Sequence, residues 1–323
     1  MIPQKVKEVL EKQHYRIVGG HSAVQICRWT KNSLKGKGVC WKEKFYGIQS
    51  HRCCQMTPSV MWCENQCLHC WRAIEMNLGM DIGKIDEPKK ILDEIIEARK
   101  KLLMGFKGSE KVSKKKFEEA LKSNFFTLSL SGEPTLYPKV GELIKEIKKR
   151  NAISFLVTNG QNPEVIKKLE KEGNLPTQIT VSMNAPNEKL FLLWHRSLRK
   201  DAWKRFNQTL EIIKKLKGKT RRAIRLTLVR ESNKGLFNMN EESIKEYATL
   251  IKKAEPDFVH VKGFMSVGYA RKRLGYDKMP FWNEIKEFAK KLAKETGLKL
   301  LGEHEYSRAI ILGKNKKDLK IEI

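Results

Sequence analysis

Ser59-Val60-Met61-Trp62-Cys63-Glu64-Asn65-Gln66-Cys67-Leu68-His69-Cys70-Trp71 is the stretch from which the rest of this 323-residue chain is read. A short apolar run leads into Cys63, Cys67 and Cys70, spaced Cys-x3-Cys-x2-Cys. One tight loop of that spacing wraps three thiolates around a single centre, and a four-iron cluster takes one ligand per iron. Three local ligands leave one iron open, as a catalytic zinc site keeps one position for water or substrate. The competing reading is a structural zinc knot completed by His69 or another cysteine. Zinc sites usually pair Cys-x2-Cys with a second distant pair, and none follows Cys70. A disulfide framework is weaker still, because a chain of this length buries a sizeable core without staples.

All seven cysteines fall before Trp71, and six of them divide into two triads. Cys27, Cys40 and Cys53 have twelve residues between neighbours, too many for a tight loop, so folding of the N-terminal segment must bring them together. Cys54 breaks the spacing and reads as a spare, buried thiol. The 65 Lys and Arg against 37 Asp and Glu give a formal charge of +28, which calls for a polyanion. Adaptation to heat raises glutamate along with lysine and leaves the balance near neutral. A membrane surface is the other polyanion, but no basic amphipathic helix with bulky apolar anchors is visible. No signal peptide or spanning segment is visible either, so the expectation is a cytoplasmic protein with reduced thiols.

Beyond the cysteines the chain alternates strand and helix patterns, predicting an α/β fold with parallel pairing. Strands are expected at 60–62, 125–130, 153–157, 178–181, 223–228 and 258–261, with helices at 87–104, 139–149, 163–171, 203–216, 241–254 and 280–295. Six units are too few for a closed eight-stranded barrel. Polar clusters follow the first four strands: Cys63, then Ser131-Gly132-Glu133, Thr158-Asn159-Gly160 and Ser182-Met183-Asn184. Arg225 and Thr227 lie within the fifth and Lys262-Gly263 ends the sixth. Ligands gather at the carboxyl ends of such strands. Each cluster also has a plainer reading: turns for the Gly-Pro and Asn-Gly stretches, local caps for Ser182 and Asn184, an ion pair for Arg225.

The cysteine loop resembles that of radical SAM enzymes. The upstream triad, Phe45-Tyr46-Gly47-Ile48, His51-Arg52-Cys53, Thr57-Pro58-Ser59-Val60 and Ser131-Gly132-Glu133-Pro134-Thr135-Leu136-Tyr137-Pro138 narrow the likeness to the archaeal tRNA 4-demethylwyosine synthases, from about residue 1 to residue 312. The resemblance implies a partial (β/α)6 TIM-like barrel over 58–312, an N-terminal cysteine-bearing extension over 1–57, and a polar tail over 313–323. It implies a [4Fe-4S] cluster on Cys63, Cys67 and Cys70 whose open iron chelates S-adenosylmethionine (SAM). Gly132 and Glu133 match the family's Gly-Gly-Glu motif, with Ser131 in place of the first glycine, and are assigned to the methionyl end of SAM. Asn159, Ser182 and Asn184 are candidates for its ribose. A second [4Fe-4S] cluster falls to Cys27, Cys40 and Cys53, with pyruvate near it. Lys42, just beyond Cys40, then becomes a candidate for a Schiff base with the keto acid, against its plain reading as one more surface lysine.

The chemistry so implied starts when an electron splits SAM to a 5'-deoxyadenosyl radical. That radical takes hydrogen from the methyl of N1-methylguanosine beside the anticodon of tRNA-Phe, and addition to pyruvate with loss of its carboxyl carbon closes the tricyclic base. The target base must leave the anticodon stack. Basic runs at 111–116, 196–200, 214–222, 271–273 and 314–320 are candidates for phosphate contact, with Gly268-Tyr269 adding an aromatic beside the fourth. Eukaryotic relatives carry a flavodoxin-like domain that this chain has no room for before Cys27, so the expected reductant is a separate protein and the expected state a monomer. The rival classes are a non-catalytic zinc-containing RNA-binding protein and a radical SAM enzyme on another substrate.

Overall fold

The computed structural model describes residues 2–232 and 236–322; Met1 and Ile323, at the outer limits of the two expected terminal segments, lie outside the described residues. Ten strands form one sheet: β1 (Arg16–Val18), β2 (Ser22–Gln25), β3 (Cys53–Thr57), β4 (Phe125–Leu128), β5 (Ile153–Thr158), β6 (Gln178–Ser182), β7 (Arg221–Leu228), β8 (Phe258–Gly263), β9 (Lys299–His304) and β10 (Ala309–Gly313). Their spatial order is β1-β2-β3-β4-β5-β6-β7-β8-β10-β9. Every neighbour from β3 to β8 is parallel, which makes six parallel strands. The β1–β2 hairpin adds antiparallel to β3, and β10 with β9 adds antiparallel to β8. Among the described residues β1 and β9 do not pair, so the curved sheet is an open, partial barrel.

The first parallel strand differs from expectation. It is β3, inside the segment assigned to the extension, whereas residues 60–62 form a turn in which Trp62 N donates to Ser59 O at 3.1 Å. Met61 there has φ +69°, which a strand does not accept. An apolar run as short as Val60-Met61-Trp62 is buried in either conformation, so its hydrophobicity did not distinguish them. Period-2 alternation along β3 sends Cys53 and Gln55 to one face and Cys54 and Met56 to the other. Cys54 and Met56 are accordingly buried in the outer core beneath the helices, and Cys53 borders the interior cluster.

The outer core follows from the amphipathic helices. In Val140–Lys149 the residues Val140, Leu143, Ile144 and Ile147 recur at helical spacing and are all buried. Each such side chain contributes about 1.5–3 kcal/mol when fully buried. The inner face is graded along the strands. Phe125, Phe155, Ala223 and Phe258 close its amino end as an apolar cluster, while Arg225, Thr227 and Lys262 lie toward its carboxyl end.

A short helix, Trp41–Tyr46, plugs that amino end. Trp41, Phe45 and Tyr46 fall on its buried side, and Gly47 ends it with φ +80°, a conformation glycine adopts without strain. The segment 313–323, expected as a polar tail, is docked over its residues 313–321: Gly313 completes β10, Leu319 is buried in the interior cluster, and Ile321 N donates to Tyr46 O at 3.0 Å. Arg221 fastens this segment through Asp318 O at 2.9 Å and Leu319 O at 2.8 Å. Three apolar residues, Leu319, Ile321 and Ile323, among four lysines were too few to betray this packing from composition.

Candidate active site

The cysteine loop leaves the turn after β3 and is held from three sides by backbone contacts. Cys63 N donates to Gly79 O at 2.9 Å, Gln66 N to His195 O at 2.8 Å, and Leu68 N to Trp194 O at 3.0 Å. Cys70 N donates to Cys67 O at 3.0 Å, the tight turn that the two-residue spacing allows. Arg273 clasps the far side: it donates to Leu68 O at 3.1 Å, Arg72 O at 3.1 Å and Cys70 O, and pairs with Glu75 at 2.6 Å. The sequence offered Arg273 only as part of a basic run.

Gly132 and Glu133 meet this loop from the end of β4. Gly132 has φ +68°, and a Cβ there would lie 1.8 Å from Ser59 O and 2.6 Å from Trp62 O. Only glycine permits that approach. Glu133 N then donates to Trp62 O at 2.7 Å. Its buried carboxylate accepts from Thr135 N at 3.1 Å, Thr135 Oγ1 at 2.6 Å, Thr158 Oγ1 at 2.7 Å and Asn159 N at 2.7 Å. Burial, reinforced by nearby Glu64, pushes its pKa up to about 7. Gly132 lines a cavity shared with the cysteine loop, whereas Glu133 joins the ends of β4 and β5.

Glu64, a loop residue that the sequence did not single out, is fully buried. It accepts from Asn159 Nδ2 at 3.0 Å and from Asn162, and Arg199 lies 3.9 Å away. Asn159 Nδ2 also reaches Cys63 Sγ at 3.6 Å. Asn159 therefore faces the cysteine loop, as its position after β5 suggested. Ser182 accepts from Arg225 at 3.3 Å, while Asn184 approaches His195 Nε2 at 3.5 Å and leaves its Oδ1 buried without a partner.

A cavity of about 490 Å³ opens above these groups. Cys63, Cys67, Cys70 and Gly132 line one part of it and Arg225, Thr227 and Lys262 another. The second triad gathers around the plug helix. Cys27 and Cys40 are the N-caps of Arg28–Leu34 and Trp41–Tyr46, and Cys53 opens β3. Cys53 Sγ and Lys42 Nζ both lie 3.4 Å from Thr127 Oγ1. The Lys42 ammonium sits 5.2 Å from the Phe125 ring centre and 5.6 Å from that of Phe155, so this half-buried lysine is turned toward the barrel interior. Burial raises the Cys40 thiol to about 12 against the pull of Lys42, with Cys27 and Cys53 close enough to add to the rise.

All seven cysteines are free. Burial pushes the thiols of Cys63, Cys67 and Cys70 up, with Glu64 adding to Cys63. They become thiolates only if something positive replaces water, as a metal does. His69, which a zinc knot would recruit, already accepts at its Nδ1 from Trp194 Nε1 at 2.6 Å, while it lines the same cavity as the three thiols. A four-iron cluster takes its thiolates on separate irons. Three thiols of one loop lining one cavity fit that group.

Comparison with known proteins agrees with the geometry. Residues 58–251 match the radical SAM superfamily and residues 253–314 the family described as wyosine base formation. The chain is 44% identical to the S-adenosyl-L-methionine-dependent tRNA 4-demethylwyosine synthase of Pyrococcus abyssi, over 98% of this chain and 91% of that one. It is 38% identical to the enzyme of the same name from Methanocaldococcus jannaschii, over 98% of each chain. The solved structure of TYW1 with a lysine-pyruvate adduct bound superposes with a TM-score of 0.85 at 35% identity, covering 99% of this chain and 98% of that one. An archaeal TYW1 crystal structure gives 0.78 at 34% identity, covering 99% of both. With its open parallel barrel and its cysteine loop at the strand ends, the chain belongs to the radical SAM superfamily and, within it, to the tRNA 4-demethylwyosine synthase family.

Proposed function

We propose that the chain condenses N1-methylguanosine beside the anticodon of tRNA-Phe with pyruvate to form 4-demethylwyosine, a radical SAM reaction of the carbon–carbon lyase class. The observation that carries this reading is the juxtaposition of two cysteine triads with a half-buried lysine, Lys42, beside the second. Cys63, Cys67 and Cys70 would hold the SAM-binding [4Fe-4S] cluster, and Cys27, Cys40 and Cys53 a second one. When bound, the first cluster and SAM supply the electron and the hydrogen-abstracting radical. The chain's own residues supply position and dryness. Gly132 lets the β4 end close on the cysteine loop, and Glu133 holds the ends of β4 and β5 together. Asn159, Ser182 and Asn184 stand at successive strand ends where a ribose would lie.

Lys42 is the residue we assign to pyruvate. It is half-buried against the Phe125 and Phe155 rings, a partly desolvated setting that favours imine formation with a keto acid, and a solved relative has a lysine-pyruvate adduct bound. The charge of +28 supports a polyanionic RNA substrate. No described helix is long and apolar enough to cross a membrane. We assign the protein to the cytoplasm as a monomer served by a separate protein electron donor. Anaerobically reconstituted protein should contain about eight iron and eight sulfide per chain. Given a reductant, SAM, pyruvate and N1-methylguanosine-containing tRNA, it should yield the tricyclic nucleoside. Stoichiometric zinc, or unchanged tRNA beside active SAM cleavage, would reject the assignment.

A further inference from the structure

The barrel interior holds two half-buried basic side chains that pair with no carboxylate among the described residues. Lys262, on β8, donates to Ser307 O at 2.9 Å and lies 5.3 Å from the centre of the Trp41 ring. Arg225, on β7, donates to Ser182 Oγ at 3.3 Å, and its Nε is buried with no partner. Among the described residues neither forms an ion pair with a carboxylate, although the chain makes many elsewhere. Both line the cavity that the Cys63–Cys70 loop lines, and Thr227, level with Lys262 in the parallel register, adds a hydroxyl between them. Lys262 is also close enough to Lys42 and Cys40 for each to perturb its proton affinity.

Buried charges are costly unless paired, and apolar residues in their place are commonly neutral or stabilising. Two half-buried ones kept unpaired beside a cavity call for an anion that arrives with the reaction. The site lies on β7 and β8, on the inner face of the sheet, in the part of the cavity away from its cysteine-lined part. We infer that Lys262 and Arg225, with Thr227, hold the carboxylate of pyruvate and so present its keto carbon toward Lys42. This rests on the proposed use of pyruvate and makes the pair positioning residues for it. A guanidinium and an ammonium converging on one carboxylate give charge-assisted hydrogen bonds of the stronger kind.

The test is equilibrium dialysis of radiolabelled pyruvate against anaerobically reconstituted protein without tRNA, alongside titration of an anticodon stem-loop. Lys262→Met and Arg225→Met should each raise the pyruvate Kd by about tenfold or more, and Thr227→Val by about threefold. Thermal melts check that the variants fold, and T227V keeps the test open should either cation variant fail to. RNA affinity should stay within about twofold of the parent, the scatter expected when no charge-assisted contact is lost. Unchanged pyruvate affinity in the folded variants overturns the inference, as does a parent protein that binds no pyruvate. Weakened RNA binding with intact pyruvate binding also overturns it, by making the anion a backbone phosphate. Borohydride trapping at Lys42 separates the two readings. A parent that binds pyruvate but traps none loses the imine at Lys42 and keeps the carboxylate pair.

Discussion

Gly132→Ala should disable the site by moving backbone, without touching any polar group. The alanine must hold φ near +68°, which costs roughly 1–2 kcal/mol for an L-residue. Its Cβ would also stand 1.8 Å from Ser59 O and 2.6 Å from Trp62 O, two backbone atoms fixed by the turn entering the cysteine loop. The strands cannot give by an ångström, so the loop must. Glu133 N then loses its bond to Trp62 O, about a further 1 kcal/mol. The sum is about 2–3 kcal/mol, which in a chain of 323 residues lowers Tm by roughly 3–4 °C. SAM binding should weaken by more than the stability loss accounts for, because Gly132 and Cys63 line the same cavity. Gly105→Ala is the control: Gly105 has φ −60°, its Cβ would meet nothing nearer than 4.0 Å, and the change should stabilise by about 0.4–1 kcal/mol. Calorimetry and SAM titration give both quantities. A Gly132→Ala protein melting within about 1 °C of the parent would refute the steric reasoning.

Arg273→Met removes three donors to loop carbonyls, roughly 3 kcal/mol of local restraint, and should lower the iron retained after gel filtration; parent-like iron content would show the clasp to be dispensable. Arg271 and Lys272 lie on the short helix Ala270–Leu274, which follows Met265 and Val267 of the cavity lining, so Arg271→Ala and Lys272→Ala should each lower the salt slope of tRNA binding by about 1 while leaving iron content alone. Glu133 gives a pH prediction. Its folded pKa, raised to about 7, exceeds the value of 4.5 that applies when unfolded, so the folded state binds the extra proton between them. Stability from this group is therefore full below pH 4.5 and falls as pH rises to about 7, by at most roughly 3 kcal/mol. Denaturation of cluster-free protein should show that decline, and Glu133→Gln should lack it; parallel pH profiles would sink the assignment of the proton.

Much of this site is visible in the sequence because each of its polar motifs ends a strand. Ser131 through Glu133, Thr158 through Gly160 and Ser182 through Asn184 lie where the alternation of elements placed them. The first strand was misplaced because Val60-Met61-Trp62 is apolar and buried in a turn, whereas β3 carries Cys53, Cys54 and Gln55, whose polarity masked it. Basic runs hid a division of labour. Arg222 bonds Asp257 at 2.6 Å, Arg199 bonds Asn162 at 2.9 Å and Arg273 clasps the cysteine loop, so these charges are committed within the fold. Neighbouring lysines such as Lys217 and Lys200 are exposed. No local pattern separates the two kinds, since the partner of each arginine lies tens of residues away. Lys262 is hidden for the same reason: only the register of β7 and β8 brings it level with Thr227 and near Arg225.

The docking of Leu319 and Ile321 against Tyr46 bears on how the protein is made. The helix bearing Lys42 has six residues, too few to persist alone, and its floor is contributed from some 270 positions downstream. While the ribosome is still delivering the barrel, that helix has no completed seat, and Cys40 with it has no fixed direction. The loop of Cys63, Cys67 and Cys70, held by contacts with residues up to Arg273, can be ordered sooner. Metal loading should follow the same sequence, the SAM-binding triad first and the upstream triad only after residue 321 has left the exit tunnel.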